Sequence, residues 1–223
     1  MRRNNRKGTL WVALGLLLIV AALFLGAFNL YDERRAGQSA MLAADRLEEA
    51  IEPQKAEEKE QYPSAEPDEA EALPAPGEEI VIPDYVLNPN MEMPVKNLDG
   101  LDYIGVLRVP VLELELPVIS QWSYPNLRIA PCRYVGSAYL DDLVICAHNY
   151  SSHFGKLKTL QPGDAVSFTD MDGNLFSYEV VEVETLLPGA VEEMESGGWD
   201  LTLFTCTIGG RKRVAVRCER IGA

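Results

Sequence analysis

The sequence predicts an all-β domain hung from a membrane-crossing helix on an acidic tether, and three observations carry that reading. Short apolar and β-branched runs recur from Tyr103 to Arg220, broken by Gly and Pro turn signals. An uncharged apolar stretch occupies residues 9–30, and a segment rich in Glu and Pro separates the two. Many short strands with few convincing helices make an antiparallel barrel or sandwich, because each strand must bury one face against another sheet layer.

Residues 1–8 form a basic tail with Arg2, Arg3, Arg6 and Lys7. Thr9 to Leu30 follows, 22 residues without a charge. At a rise of about 1.5 Å per residue such a helix crosses a hydrocarbon core of about 30 Å. The basic flank assigns the N-terminus to the cytoplasm and the remaining chain to the outside, as a single-pass signal-anchor in the cell membrane. A cleaved signal peptide is the competing reading, but its apolar region normally spans only about 7 to 15 residues.

Residues 31–83 read as a solvated stalk. Between Asp45 and Glu79 there are 13 acidic and 3 basic residues, together with Pro53, Pro63, Pro67, Pro74 and Pro76. Too little apolar surface is present to offset the entropy of ordering the chain. Met41, Leu42, Leu47 and Ile51 lie at near-helical spacing, so the first part suits a charged helix, but the stripe is too thin to predict docking. Most of the net charge of -14 resides here, which makes it a property of the tether and leaves no basic surface for nucleic acid.

Residues 84–223 make one domain of roughly 140 residues, enough for a single core. Strand-like runs fall at 103–109, 112–119, 143–147, 165–169, 175–187, 201–207 and 212–220. Turn signals at Pro110, Pro117, Gly163, Asp172-Gly173, Pro188-Gly189 and Gly209-Gly210 separate several of them. The last two runs, joined through Gly209-Gly210, form a hairpin that carries Cys206 at the end of one strand and Arg213 at the start of the next. Alternation assigns Arg211, Arg213, Ala215 and Arg217 to one face of the final strand and Val214, Val216 and Cys218 to the core face.

Cys206, His148 and Arg213 supply a thiol nucleophile, an imidazole and a guanidinium, the groups needed to attack a carbonyl, protonate a leaving amine and hold an oxyanion. The pattern Thr-Leu-x-Thr-Cys at residues 202–206 should occur by chance in on the order of one chain in a thousand. Cys132, Cys146 and Cys218 make an even total with Cys206, which invites disulfides, yet Cys146 and Cys218 lie in apolar strands where a free thiol acts as a small hydrophobe. His153 follows Ser151-Ser152 in a loop and is the weaker imidazole candidate. Arg211 and Arg217 rival Arg213 on the same strand face. No CxxC occurs and two histidines make a poor zinc site, so no metal is expected.

Residues 202–206 followed by Arg213-Val214-Ala215-Val216-Arg217 resemble the signature of the sortases, cysteine transpeptidases of Gram-positive cell surfaces. Val144-Ile145-Cys146-Ala147-His148 looks like the sortase strand that ends in the catalytic histidine, and Gly163-Asp164 like the strand opening that follows. The resemblance implies an eight-stranded β-barrel with short helices. It also implies Cys206 as nucleophile, His148 as acid, Arg213 at the oxyanion, and Thr205 and Ala147 lining the substrate site; Ala147 stands where many members carry glycine. The implied partners are exported proteins bearing a C-terminal sorting motif of LPxTG type and an amine of lipid II or peptidoglycan. No cofactor is implied, although calcium aids some members. A class D-like enzyme is the nearest subclass, with class B-like as the alternative.

Two other readings fit parts of the sequence. A papain-like cysteine protease uses the same Cys/His pair, but there the histidine follows the nucleophile, whereas His148 precedes Cys206. A non-catalytic tethered binding domain leaves the coincidence of His148, Cys206 and Arg213 unexplained.

Overall fold

The computed structural model describes residues 6–61, 82–195 and 198–222. A single helix, α1 (Arg6–Gln61), precedes the domain. After a one-turn helix α2 (Asp84–Leu87) the chain enters strands β1 (Lys96–Leu98), β2 (Leu101–Val109) and β3 (Leu114–Ile119). A one-turn helix α3 (Tyr124–Leu127) leads to β4 (Cys132–Val135), β5 (Leu143–Cys146), β6 (Ala165–Asp170) and β7 (Leu175–Leu186). The short helix α4 (Val191–Glu195) precedes β8 (Leu201–Cys206) and β9 (Arg213–Arg220).

Hydrogen bonding runs in the order β2-β3-β4-β5-β8-β9-β7-β6, and β6 pairs again with β2, so eight strands close into a barrel. Closure removes the free edges that an open sheet would expose. β1 is a short extra strand on the N-terminal end of β2. Most pairs are antiparallel; β3 with β4 and β5 with β8 are parallel. Ile104, Leu107, Ile145, Phe168, Phe176, Leu203 and Val216 fill the interior, all fully buried. Each such side chain contributes on the order of 1.5–3 kcal/mol by leaving water.

The strands expected at 103–109, 143–147, 165–169, 175–187 and 212–220 are all present within a residue or two. At 112–119 the strand starts only at Leu114, because Pro110 opens a 3-10 turn and Glu113 takes the left-handed conformation at φ 54°. β1 and β4, of three and four residues, carry no periodicity long enough to read from the chain.

The stalk needs a correction. Residues 31–51 do not stand away from the domain: α1 continues through them and seats Ala36, Ala40, Ala44, Leu47 and Ile51 on the barrel, all buried. Met41 and Leu42, two members of the expected stripe, are 68% and 65% exposed. Three alanines form most of the buried face, and their small side chains let the helix approach the sheet without adding the apolar signal that a hydropathy reading detects. Two ion pairs flank the contact, Arg108 with Glu48 and Arg46 with Asp99 at 2.7 Å. Between Leu10 and Leu30 the apolar side chains of α1 are exposed, and this stretch is long and apolar enough to cross a membrane, with a mean hydropathy of 2.7. Arg2 and Arg3, and the Pro-rich part of the stalk with Pro63, Pro67, Pro74 and Pro76, lie outside the described residues.

Candidate active site

Strand register builds the site. β5 and β8 run parallel with Cys146 beside Phe204. Beyond them, the Ala147 N–H donates to the Phe204 carbonyl at 3.2 Å and the Thr205 hydroxyl donates to the Ala147 carbonyl at 2.8 Å. One further step brings His148 level with Cys206. On the other side of β8, the antiparallel hairpin pairs Cys206 with Arg213. Its turn is made by Gly209 and Gly210 at φ 82° and 70°, a backbone conformation that a side chain would strain.

Alternation then decides the face. Ile145, Leu203, Val214 and Val216 point into the barrel core, so His148, Cys206 and Arg213 share the outer face at one end of three adjacent strands. Neighbouring strands lie about 4.8 Å apart, which spaces the three groups for work on one carbonyl. After His148 the chain folds back, with the Phe154 N–H donating to the His148 carbonyl at 3.1 Å and the Phe154 ring fully buried. Gly155 permits this turn: a Cβ there would lie 2.7 Å from the carbonyl oxygens of Asn149 and Tyr150.

A cavity of about 230 Å³ covers the three residues. Trp122, Tyr134 and Phe204 form an aromatic wall, with Trp122 and Tyr134 at 5.7 Å and Tyr134 edge-on to Phe204 at 5.3 Å. Leu187, Val191 and Met194, on α4 and the loop before it, close the other side. Ala147 and Thr205 also line it, although the Thr205 side chain is buried and its hydroxyl holds the ends of β5 and β8 together.

The four thiols fall in different surroundings. Burial pushes Cys132 and Cys218 up to about 12 and Cys146 upward as well, which keeps all three neutral and unreactive. Cys206 is the one partly exposed thiol among the four, and all four are free. His148 is held below its ordinary value, first by burial and then by the charge of Arg128, against an opposing pull from Asp32. The imidazole is therefore kept neutral near pH 7.

Of Arg211, Arg213 and Arg217, only Arg213 borders the cavity. Its guanidinium donates to the carbonyls of Gly210 and Lys212 at 3.1 and 3.2 Å, turned back on its own hairpin. Arg211 is exposed. Arg217, expected only as a rival, is 2% exposed and donates to Glu184 Oε1 at 2.7 Å, Thr202 Oγ1 at 3.0 Å, and the carbonyls of Glu193 and Met194 at 2.6 and 3.2 Å. It thus fastens α4, one wall of the cavity, onto the sheet.

The sortase-domain family model matches residues 107–221, just over half of the chain. This chain belongs to the sortase family. Sortase A of Bacillus anthracis is 28% identical over 134 residues, which span 56% of this chain and 63% of that protein, less than two thirds of its length. Two solved sortases are also similar. Sortase C-3 of Streptococcus pneumoniae is 28% identical with a TM-score of 0.49, covering 56% of this chain and 66% of that one. A Sortase D5 transpeptidase of Clostridium perfringens is 20% identical with a TM-score of 0.49, covering 57% and 83%.

In this sortase domain the far side of His148 is walled by α1. The Tyr150 hydroxyl donates to Asp32 at 2.8 Å, and the backbone N–H and hydroxyl of Ser151 both donate to Glu33, the former at 2.7 Å. Tyr150 packs between the rings of His148 and His153, at 4.9 and 5.5 Å. His153 is fully buried rather than set in an open loop, and burial followed by the nearby His148 pushes it down to about 4. This wall, the aromatic wall and the Arg217 clamp are not legible in the sequence. Trp122 and Tyr134 stand out by residue type, but nothing local signals a buried Arg217, whose partners come from three other elements.

Proposed function

We propose that this protein is a membrane-anchored cysteine transpeptidase whose Cys206 attacks a backbone carbonyl in a C-terminal sorting motif of LPxTG type on another exported protein. The observation that carries the reading is the register that sets His148, Cys206 and Arg213 side by side on one outer face. His148 takes the thiol proton of Cys206, the thiolate forms a thioester as the peptide C–N bond breaks, and the imidazolium so formed passes that proton to the departing amine. Arg213 turns from the carbonyls of its own hairpin to the substrate backbone and developing oxyanion. The apolar walls at Trp122, Leu187 and Val191 suit the leucine and proline of such a motif. An amine of lipid II or peptidoglycan then takes the acyl group.

Residues 9–30 are the anchor in this reading, with residues 1–8 in the cytoplasm and residues 84–223 as the catalytic domain outside. Asp32, two residues past the apolar stretch, already bonds the barrel, so the domain works at the membrane surface rather than at the end of a long tether. The five-residue α4 is short for a class B insertion and fits a class D-like enzyme.

Full-length protein in vesicles, given a labelled sorting-motif peptide and increasing oligoglycine or a diaminopimelate-containing stem peptide, should divert product from slow hydrolysis to ligation. Hydrolysis dominant at every amine concentration would indicate a protease instead. No turnover of any sorting peptide by folded protein would indicate a binding domain.

A further inference from the structure

A second cavity, of about 870 Å³, lies between α1 and the barrel. Tyr124 and His148 line both this cavity and the one over Cys206, so the imidazole stands as a partition between them. Two opposite charges from this side act on His148, Arg128 after α3 and Asp32 on α1. Asp32 receives one hydrogen bond, from Tyr150. The Arg128 and Arg35 guanidiniums line the cavity with no hydrogen-bond or ion-pair partner among the described residues, unlike Arg46, which is paired with Asp99. A carboxylate and two unpaired guanidiniums beside one imidazole complement a molecule that carries an ammonium and an anion close together.

A transpeptidase must meet its thioester with an amine while the sorting peptide still fills the Cys206 cavity. We propose that the α1-walled cavity seats the acceptor, a primary amine carried next to a carboxylate, and delivers it to the thioester past His148. This rests on the transpeptidase reading. The amine nitrogen attacks the thioester carbonyl, the C–N bond forms, the C–S bond breaks and the sulfur leaves as thiolate. The proton lost by the nitrogen passes to the neutral imidazole of His148, which restores the resting charges once it is shared with the sulfur. Asp32 accepts a hydrogen bond from the incoming ammonium, which sheds one proton to solvent before it attacks as the free amine, and Arg128 with Arg35 holds the carboxylate.

The test uses full-length protein in vesicles, pre-charged with a sorting peptide, and two acceptors: a diaminopimelate-containing tripeptide with the carboxylate beside its free amine, and the same tripeptide amidated there. Wild type should reach half-maximal ligation at a concentration at least about tenfold lower for the free carboxylate. Arg128→Ala should raise that concentration about tenfold and remove the preference, with partial recovery in Arg128→Lys. Lys158→Ala, on an exposed turn elsewhere, should behave as wild type. Equal half-saturation by the two acceptors in wild type, or an equal shift of both in Arg128→Ala, would overturn the acceptor site. If the thioester forms and these results follow, only this site falls; if no sorting peptide yields a thioester, the transpeptidase reading falls first and the acceptor site with it.

Discussion

The two sides of His148 are built differently. On one side, Cys206 and Arg213 are placed by the ladder of β5, β8 and β9, whose inner faces are locked in the barrel core. On the other, α1 is held by a face of mostly small residues and by hydrogen bonds that Tyr150 and Ser151 donate to Asp32 and Glu33. The ladder cannot shift a residue without turning its core side chains to solvent, whereas the helix is seated by two large apolar side chains, Leu47 and Ile51, three alanines and a few polar bonds. The proposed chemistry thus rests on the strand ladder, and the proposed acceptor cavity on the helix side.

Breaking the ladder side should have the largest effect. His148→Ala is expected to lower kcat/KM for a sorting peptide by about 10²–10⁴-fold, through loss of the general acid. Arg213→Ala should cost about 10²–10³-fold, and Arg213→Lys should recover little because a lysine lacks the planar fork. Equal activity of Arg213→Ala and wild type in steady-state kinetics would remove Arg213 from the mechanism.

Arg217 sharpens the comparison because it fastens α4 over the strand ladder. Arg217→Leu leaves Glu184 and two backbone carbonyls without their donor and should cost about 3 kcal/mol in urea unfolding of the domain. A change below about 0.5 kcal/mol would show that the clamp contributes nothing to stability.

The helix side should respond to pH. Folding holds His153 near 4, below its unfolded value near 6.5, so the folded state binds fewer protons between those limits. This group's contribution is complete above about pH 6.5 and is lost as pH falls towards 4, by up to about 3 kcal/mol. His153→Leu should flatten that part of the stability curve measured by urea titrations at several pH values. An unchanged pH slope in the variant would place the sensitivity elsewhere.

The smallest effect is expected on the helix itself. Glu33→Ala removes partly exposed hydrogen bonds and should cost less than about 1 kcal/mol, but it should raise hydrogen exchange at Ser151 and along residues 33–40. Gly37→Leu is harsher, since even a Cβ at Gly37 would lie 2.9 Å from the Ser152 Cβ. If exchange along the helix is identical in wild type and Gly37→Leu, α1 does not dock there in solution.

The same contrast explains what could be read from the chain. Strands β2, β5 and β9 announce themselves as short apolar and β-branched runs buried almost throughout, β7 by alternation of buried and exposed residues, and the hairpin pairing Cys206 with Arg213 is local. His148 is also legible, since it ends an apolar run. What stayed hidden is what long-range packing decides. The docked face of α1 consists largely of alanines inside an acidic segment, so its composition suggested a solvated stalk. Burial of His153 and Arg217 depends on α1 and α4 arriving from elsewhere in the chain. Neither β1 nor β4 is long enough to show alternation.

Cys206 is the proposed nucleophile because it alone of the four thiols is partly exposed, beside His148, while burial keeps the others neutral. Mass spectrometry of the protein trapped with a sorting-motif peptide tests it directly. A single acyl adduct should map to Cys206, be absent in Cys206→Ala, and persist in Cys146→Ala and Cys218→Ala. An adduct on Cys132, Cys146 or Cys218, or one that survives in Cys206→Ala, would contradict it.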